Sequence, residues 1–251
     1  MKFALHNNLS SEYLRQADEI LVWYHDRRSL PDLFNEYPQA TIILKLQLGD
    51  TADWDEINDY YNLSKNHLIC CLDNIRQDAQ ECAKRHIPFF WLYPVNNFYD
   101  LNALRLMGAC YVYIAPPLTF QIKKAFAAGV PLRVIPNVAY EDYLPRDNGL
   151  HGGWFRPEDM PLLEPYVDVI EFGGHCDTDQ EQALYRIYKR GEWSEDINTI
   201  IYNLGMPPTI CSLLADTHRR LNCGQACQEG STCHLCELDF RFAQNIQNRM
   251  N

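Results

Sequence analysis

Eight short apolar runs, alternating with longer polar segments of helical character, predict an α/β chain. The class they point to is (β/α)8, a TIM-like barrel with a C-terminal cysteine-rich helical extension. Two further observations narrow the choice. The runs show little polar alternation, as expected of parallel strands covered on both faces. No glycine-rich phosphate loop follows the first run, where HNNLSSEY stands instead, which removes the simplest open nucleotide-binding sheet.

In chain order the runs are Lys2–His6, Glu19–His25, Ala40–Leu48 and His67–Leu72, then Ile87–Val95, Cys110–Pro116, Pro131–Ala139 and Val167–Gly173. Helical segments are expected at Asn74–Arg85 and Thr119–Ala128, each closed by a breaker, His86-Ile87-Pro88 in one and Gly129-Val130-Pro131 in the other. The glycine-bearing connection from Tyr140 to Pro157 follows the seventh run. In a barrel it crosses the carboxyl-end face, where it would serve as a lid that includes His151 and Trp154. After the eighth run, Asp177–Arg190 reads as a helix capped by Asp177 or Thr178, with Leu184, Ile187 and Tyr188 on one face. A shorter helix is expected over Glu195–Leu204 and a last one over LDFRFAQNIQNRMN. The division that follows is a barrel over residues 1–205 and a cysteine-rich extension over 206–251 packed on it.

Composition sets the function classes. With 251 residues and a hydrophobic fraction of 47%, the chain can build a large core. A net charge of −11 opposes non-specific binding to phosphate backbones. The amino terminus has one lysine and an apolar run of three residues before His6, which is not the pattern of a signal peptide. No apolar run approaches the about 20 residues needed to cross a bilayer. A cytoplasmic setting with reduced thiols is therefore expected, and the cysteines read as metal ligands before disulfides.

Five of the ten cysteines, Cys211, Cys223, Cys227, Cys233 and Cys236, fall in CSLLADTHRRLNCGQACQEGSTCHLC. Convergent thiolates suit zinc or an iron–sulfur cluster. Two CxnC knuckles separated by five residues are tight for a zinc ribbon, and a compact loop around an iron–sulfur cluster fits the spacing at least as well. Cys211 with Cys223 and Cys227 offers a second set. The bland reading is a staple for a core-poor tail, made by structural zinc or disulfides.

The strands supply a second constellation. Period-2 alternation groups Ile43, Lys45 and Gln47, then Arg133, Ile135 and Asn137, then Val167, Val169 and Glu171. Charges in apolar strands are costly unless paired or in contact with a polar ligand. Lys45, Arg133, Asn137 and Glu171 are thus candidates to orient a polar or anionic substrate, and a ligand-free ion-pair plug is the competing reading. A weaker set, His6, His25 and His175 with Asp26, Asp50 and Asp73, stands near strand ends and would suit a divalent metal. Cys70-Cys71, inside an apolar run, reads as buried and structural.

Val167-Asp168-Val169-Ile170-Glu171-Phe172-Gly173, preceded by a helix and followed by a helix holding Tyr185-Arg186, resembles part of the peptidase U32 family over residues 153–193. That resemblance implies a barrel of parallel strands and sets Glu171 at the motif's glutamate. It also implies either a collagenase-like protease or a relative that uses a cysteine-bound iron–sulfur cluster in oxygen-independent hydroxylation of ubiquinone precursors or RNA. The motif's final arginine is missing here, with Gly174-His175 in its neighbourhood, and the cysteines follow the strand motif where the family's would precede it.

The sequence therefore predicts a metal-centred barrel enzyme performing hydroxylation or hydrolysis. Its substrate is polar or anionic, whether small molecule, RNA or peptide, with no membrane association. The alternative is a non-catalytic barrel acting as a binding or assembly subunit for a protein partner.

Overall fold

The computed structural model describes residues 1–47, 51–65, 67–95, 97–114, 125–136, 157, 160–172 and 176–192. Eight parallel strands are present: β1 (Lys2–His6), β2 (Glu19–Trp23), β3 (Thr41–Leu46), β4 (Leu68–Leu72), β5 (Phe89–Trp91), β6 (Val112–Tyr113), β7 (Leu132–Val134) and β8 (Val169–Glu171). They run β5-β4-β3-β2-β1-β8-β7-β6 in one sheet. Parallel bridges Phe90↔Tyr111 and Val95↔Ile114 join the two ends, with Cys110 N–H donating to Phe89 O at 2.8 Å and Val95 N–H to Tyr113 O at 2.8 Å. The sheet thereby closes into a (β/α)8 barrel, the class expected from the eight runs.

β1 fills its run, whereas β2, β4 and β5 are shorter than the runs that announced them. The run Glu19–His25 pairs only to Trp23, and Tyr24–Ser29 turns into a 3₁₀ helix. Burial continues past the end of the ladder, because residues just beyond a strand still lie under the helical ring, so an apolar run overstates the paired length. The helices are α1 (Ser11–Leu14), α2 (Leu30–Glu36), α3 (Trp54–Leu63), α4 (Ile75–Arg85), α5 (Phe98–Leu106), α6 (Met160–Leu163) and α7 (Thr178–Arg190). α7 starts in a capping box: Asp177 accepts from the Gln180 backbone N–H at 2.9 Å, and the Gln180 side chain accepts from the Asp177 N–H at 3.1 Å. Such a cap is worth about 1 kcal/mol. The helix ends at Gly191, whose φ of 69° suits a residue without a Cβ.

Alternation along the strands divides the apolar residues in two. Ala4, Leu21, Ile43, Cys71, Phe90 and Val169 fill the lumen. Their neighbours Leu5, Ile20, Ile42, Cys70, Leu132 and Ile170 face the helices. Leu184, Ile187 and Tyr188 of α7 are buried against that outer layer, as its periodicity predicts. Val167 departs from its expected group: pairing begins at Val169, and Val167 joins the outer layer. Both faces of every strand are thus covered, each buried Leu or Ile contributing roughly 1.5–3 kcal/mol.

The expected segment Thr119–Ala128 before residue 125, the lid short of Pro157, the helix at Glu195–Leu204, the boundary near 205 and the extension 206–251 lie outside the described residues. Among the described residues, no helix is long and apolar enough to cross a membrane.

Candidate functional site

Four charged side chains from four strands meet inside the lumen. Glu171 ends β8, Lys45 is next to last on β3, Arg133 is central in β7 and Glu19 opens β2. Lys45, Arg133 and Glu171 share strand parity with the lumen residues Ile43 and Val169, so alternation alone directs all three inward. Lys45 Nζ donates to Glu171 Oε1 at 2.6 Å. Arg133 bridges the two carboxylates, with Nη2 to Glu171 Oε2 at 3.0 Å and Nη1 to Glu19 Oε2 at 2.5 Å. Tyr113 donates its hydroxyl to Glu171 Oε2, and Tyr111 donates to Glu19 Oε1 at 3.0 Å.

Aromatic faces complete the enclosure. The Arg133 guanidinium lies 4.7 Å from the Phe90 ring centroid, 5.0 Å from Tyr111 and 5.4 Å from Tyr113. Lys45 Nζ lies 4.9 Å from the Trp23 ring. Cation–π contacts contribute about 0.5–2 kcal/mol each, with the larger values at desolvated sites. Arg133 Nε is buried without a hydrogen-bond partner among the described residues, its guanidinium surrounded by rings on those sides.

The network is neutral and deeply buried, with Lys45 its most exposed member. Two cations meet two carboxylates, and relative exposure is 0% for Glu19 and Arg133, 1% for Glu171 and 5% for Lys45. Burial works to raise the Glu171 carboxyl, but Lys45 and Arg133 outweigh it and hold the group down at about 2. Burial also works against the charged form of Arg133, yet Tyr113, Glu19 and Glu171 around it leave its pKa raised. Tyr113 is pushed well up by burial and then by the Glu171 charge. Tyr111 is raised by burial and Glu19. Cys71, under the same lumen, is raised chiefly by burial, and Cys110 reaches about 12 for the same reason.

The sequence-derived candidates thus converge in part. Lys45, Arg133 and Glu171 are in contact; Asn137 lies outside the described residues, as do Cys211, Cys223, Cys227, Cys233 and Cys236. Glu19, Tyr111 and Tyr113 were missed. Glu19 stands at the edge of its run, where a charge reads as a solvated strand end. The tyrosines carried a readable signal, because residues 111 and 113 share one face and both need a hydroxyl partner if buried.

Of the histidine and aspartate set, His175 and Asp50 lie outside the described residues; among the described residues no group of three or more His, Cys, Asp or Glu is placed to hold a metal ion. His25 and Asp26 lie 3.4 Å apart on the surface. His6, at the end of β1, instead meets Glu181 of α7. Glu181 Oε1 accepts from the His6 backbone N–H at 2.9 Å, and its two oxygens lie 3.1 and 3.0 Å from Nδ1. Glu181 was also missed, although it falls on the apolar stripe of α7 with Leu184, Tyr185 and Tyr188.

No protein-family model matches the chain, and comparison with curated proteins finds no sequence match. Solved structures of similar fold include 3-keto-L-gulonate-6-phosphate decarboxylase from Vibrio cholerae, with TM-score 0.47 and 12% identity over 77% of this chain and 99% of that one. Phosphoribosyl anthranilate isomerase from Thermus thermophilus has TM-score 0.47 and 9% identity over 76% and 100%. A U32 peptidase has TM-score 0.45 and 11% identity over 70% and 94%. At these identities and TM-scores no activity is carried over.

Proposed function

We propose that the chain is a metal-containing barrel enzyme, working in the cytoplasm, that holds a polar or anionic substrate at the carboxyl-end face. The observation that carries this reading is the position of Lys45, the outermost charge of the lumen network, near the carboxyl end of β3. Burying four charges costs several kcal/mol per ion before pairing, and such networks concentrate at functional sites. Lys45 is then the cation offered to the substrate. Glu171 holds it in place and is itself held by Arg133; Asn137 is a candidate from the sequence alone.

The five thiols from Cys211 to Cys236 fit a soft metal centre by their donor chemistry, an iron–sulfur cluster in preference to zinc. Such a cluster supplies electron transfer when bound. Glu171 is both the hub of the network and the residue that matches the U32 motif's glutamate, which favours a U32-like enzyme. Hydroxylation goes with iron. Hydrolysis goes with zinc, which has no redox chemistry.

One observation favours a second reading. The network is neutral without any ligand, as a structural plug would be, and a non-catalytic barrel used as a binding or assembly subunit needs nothing more. Metal and sulfide analysis of the anaerobically purified full chain, with thermal unfolding in phosphate, sulfate and small carboxylates, separates the two. The enzyme reading expects bound iron with sulfide, and an anion-induced stabilisation that Lys45→Gln abolishes. Metal-free protein that is indifferent to anions would leave the plug.

A further inference from the structure

We infer that His6 is a proton-transfer group of the carboxyl-end face and that Glu181 is its positioning residue, an inference that rests on the barrel being an enzyme. His6 is the last residue of β1. It stands two residues beyond Ala4, whose register partner on β8 is Glu171, so it occupies the next lumen-parity position toward the strand ends. The relevant face of the barrel is the one where strand-terminal side chains do chemistry.

The Glu181 contacts set which nitrogen of a neutral ring carries the proton. A carboxylate only accepts hydrogen bonds, so the proton of a neutral His6 ring belongs on Nδ1, and Nε2 is left as the basic nitrogen. The bond from the His6 backbone N–H fixes the carboxylate independently of the ring. Glu181 is 2% exposed, while the His6 side chain is 20% exposed, so the acid is enclosed and the imidazole is the half of the pair that reaches outward.

α7 is a rigid support for this geometry. Its capping box stands at Asp177, Tyr185 packs edge-on to Phe3 at 5.2 Å, and Arg186 donates to the Tyr13 hydroxyl at 2.6 Å. A purely structural link between α7 and β1 is already made by the backbone bond. Holding Nδ1 with the same carboxylate adds what a general base needs: one tautomer, one orientation, and a counter-charge for the imidazolium.

The step is a proton transfer alone. Nε2 takes a proton from a hydroxyl, a bound water or a C–H beside a carbonyl. The ring becomes imidazolium against Glu181, and the proton returns to product or solvent, with no oxidant or reductant consumed. The substrate class is therefore one whose conversion passes through loss of such a proton.

Two measurements on the full chain test this without a known substrate. Imidazole nitrogen NMR at alkaline pH is expected to show His6 protonated on Nδ1 and bare at Nε2. Diethylpyrocarbonate is expected to modify His6, and to do so severalfold more slowly in Glu181→Gln, with Glu181→Asp recovering part of the rate and His25 unchanged as internal control. A proton on Nε2, an inert His6 beside a reactive His25, or a His6 rate untouched by Glu181→Gln would each overturn the assignment. The wild-type tautomer and reactivity need no variant, so a misfolded Glu181→Gln does not block the test. Metal content and anion binding, which test the enzyme reading, are read separately.

Discussion

Lys45 Nζ and Glu171 Oε1 lie 2.6 Å apart in the lumen, joining β3 to β8 across 126 residues of sequence. Glu171 also takes Arg133 and Tyr113, whereas Arg133 keeps Glu19 as a second carboxylate. The four charges therefore do not contribute equally. Glu171→Gln leaves two buried cations facing one carboxylate, and its cost is expected at about 3–5 kcal/mol, the range for a broken buried pair. Lys45→Met leaves Glu171 still paired with Arg133 and removes the most exposed of the four, so it should cost less. Urea unfolding of the two variants checks the order, and equal costs would contradict a network centred on Glu171.

Acid titration reports on the same carboxylate. The Glu171 carboxyl sits at about 2 in the fold against an ordinary value of 4.5. A depressed folded pKa means the folded state binds fewer protons, so the contribution is fully present above 4.5 and is lost as pH falls toward 2. At about 1.4 kcal/mol per pKa unit this amounts to about 3 kcal/mol. Unfolding free energy of the wild type should fall more steeply with acid through that window than that of Glu171→Gln. Parallel curves would show that other carboxylates set acid stability.

Alkaline titration has the opposite sign. Tyr111 and Tyr113 are both raised above the ordinary 10.0 by burial and by the carboxylates they contact. Their contribution is complete below that value and is lost as pH rises, because the unfolded chain releases those protons first. Among the described tyrosines whose hydroxyls are raised, these two are raised furthest and should be the last to ionise in the native absorbance titration. Substituting Phe at 111 should leave one carboxylate oxygen of Glu19 without its donor and remove one late-titrating group.

The barrel was legible because its cause is local: eight apolar runs without alternation state that both strand faces are covered. The inward direction of Lys45, Arg133 and Glu171 followed from parity with Ile43 and Val169. What parity cannot give is which strands face each other across the lumen. Glu19 belongs to the network because of barrel closure and strand register, not because of its neighbours in EILVWYH. The His6–Glu181 pair spans 175 residues and depends on how α7 packs at the end of β1, which no window of sequence contains. Its trace was a glutamate on an apolar helical stripe, a residue that must find a partner or pay for isolation.

The cysteine stretch supports two ligand sets, and single substitutions separate them. If Cys223, Cys227, Cys233 and Cys236 hold the centre, Cys233→Ser and Cys227→Ser should each empty it, while Cys211→Ser keeps it. If the set is Cys211 with Cys223 and Cys227, Cys211→Ser should empty the centre and Cys233→Ser should leave it filled. Iron, zinc and sulfide per chain are the readout. Of the five cysteines before the stretch, Cys70, Cys71 and Cys82 are fully buried and Cys110 is held at about 12, where little thiolate forms at neutral pH; the half-buried Cys176 is the one whose labelling has to be mapped separately. Alkylation of the native protein should therefore spare those four. It should reach Cys223–Cys236 only after a chelator removes the metal, and rapid labelling there before chelation would mean free thiols and no metal centre.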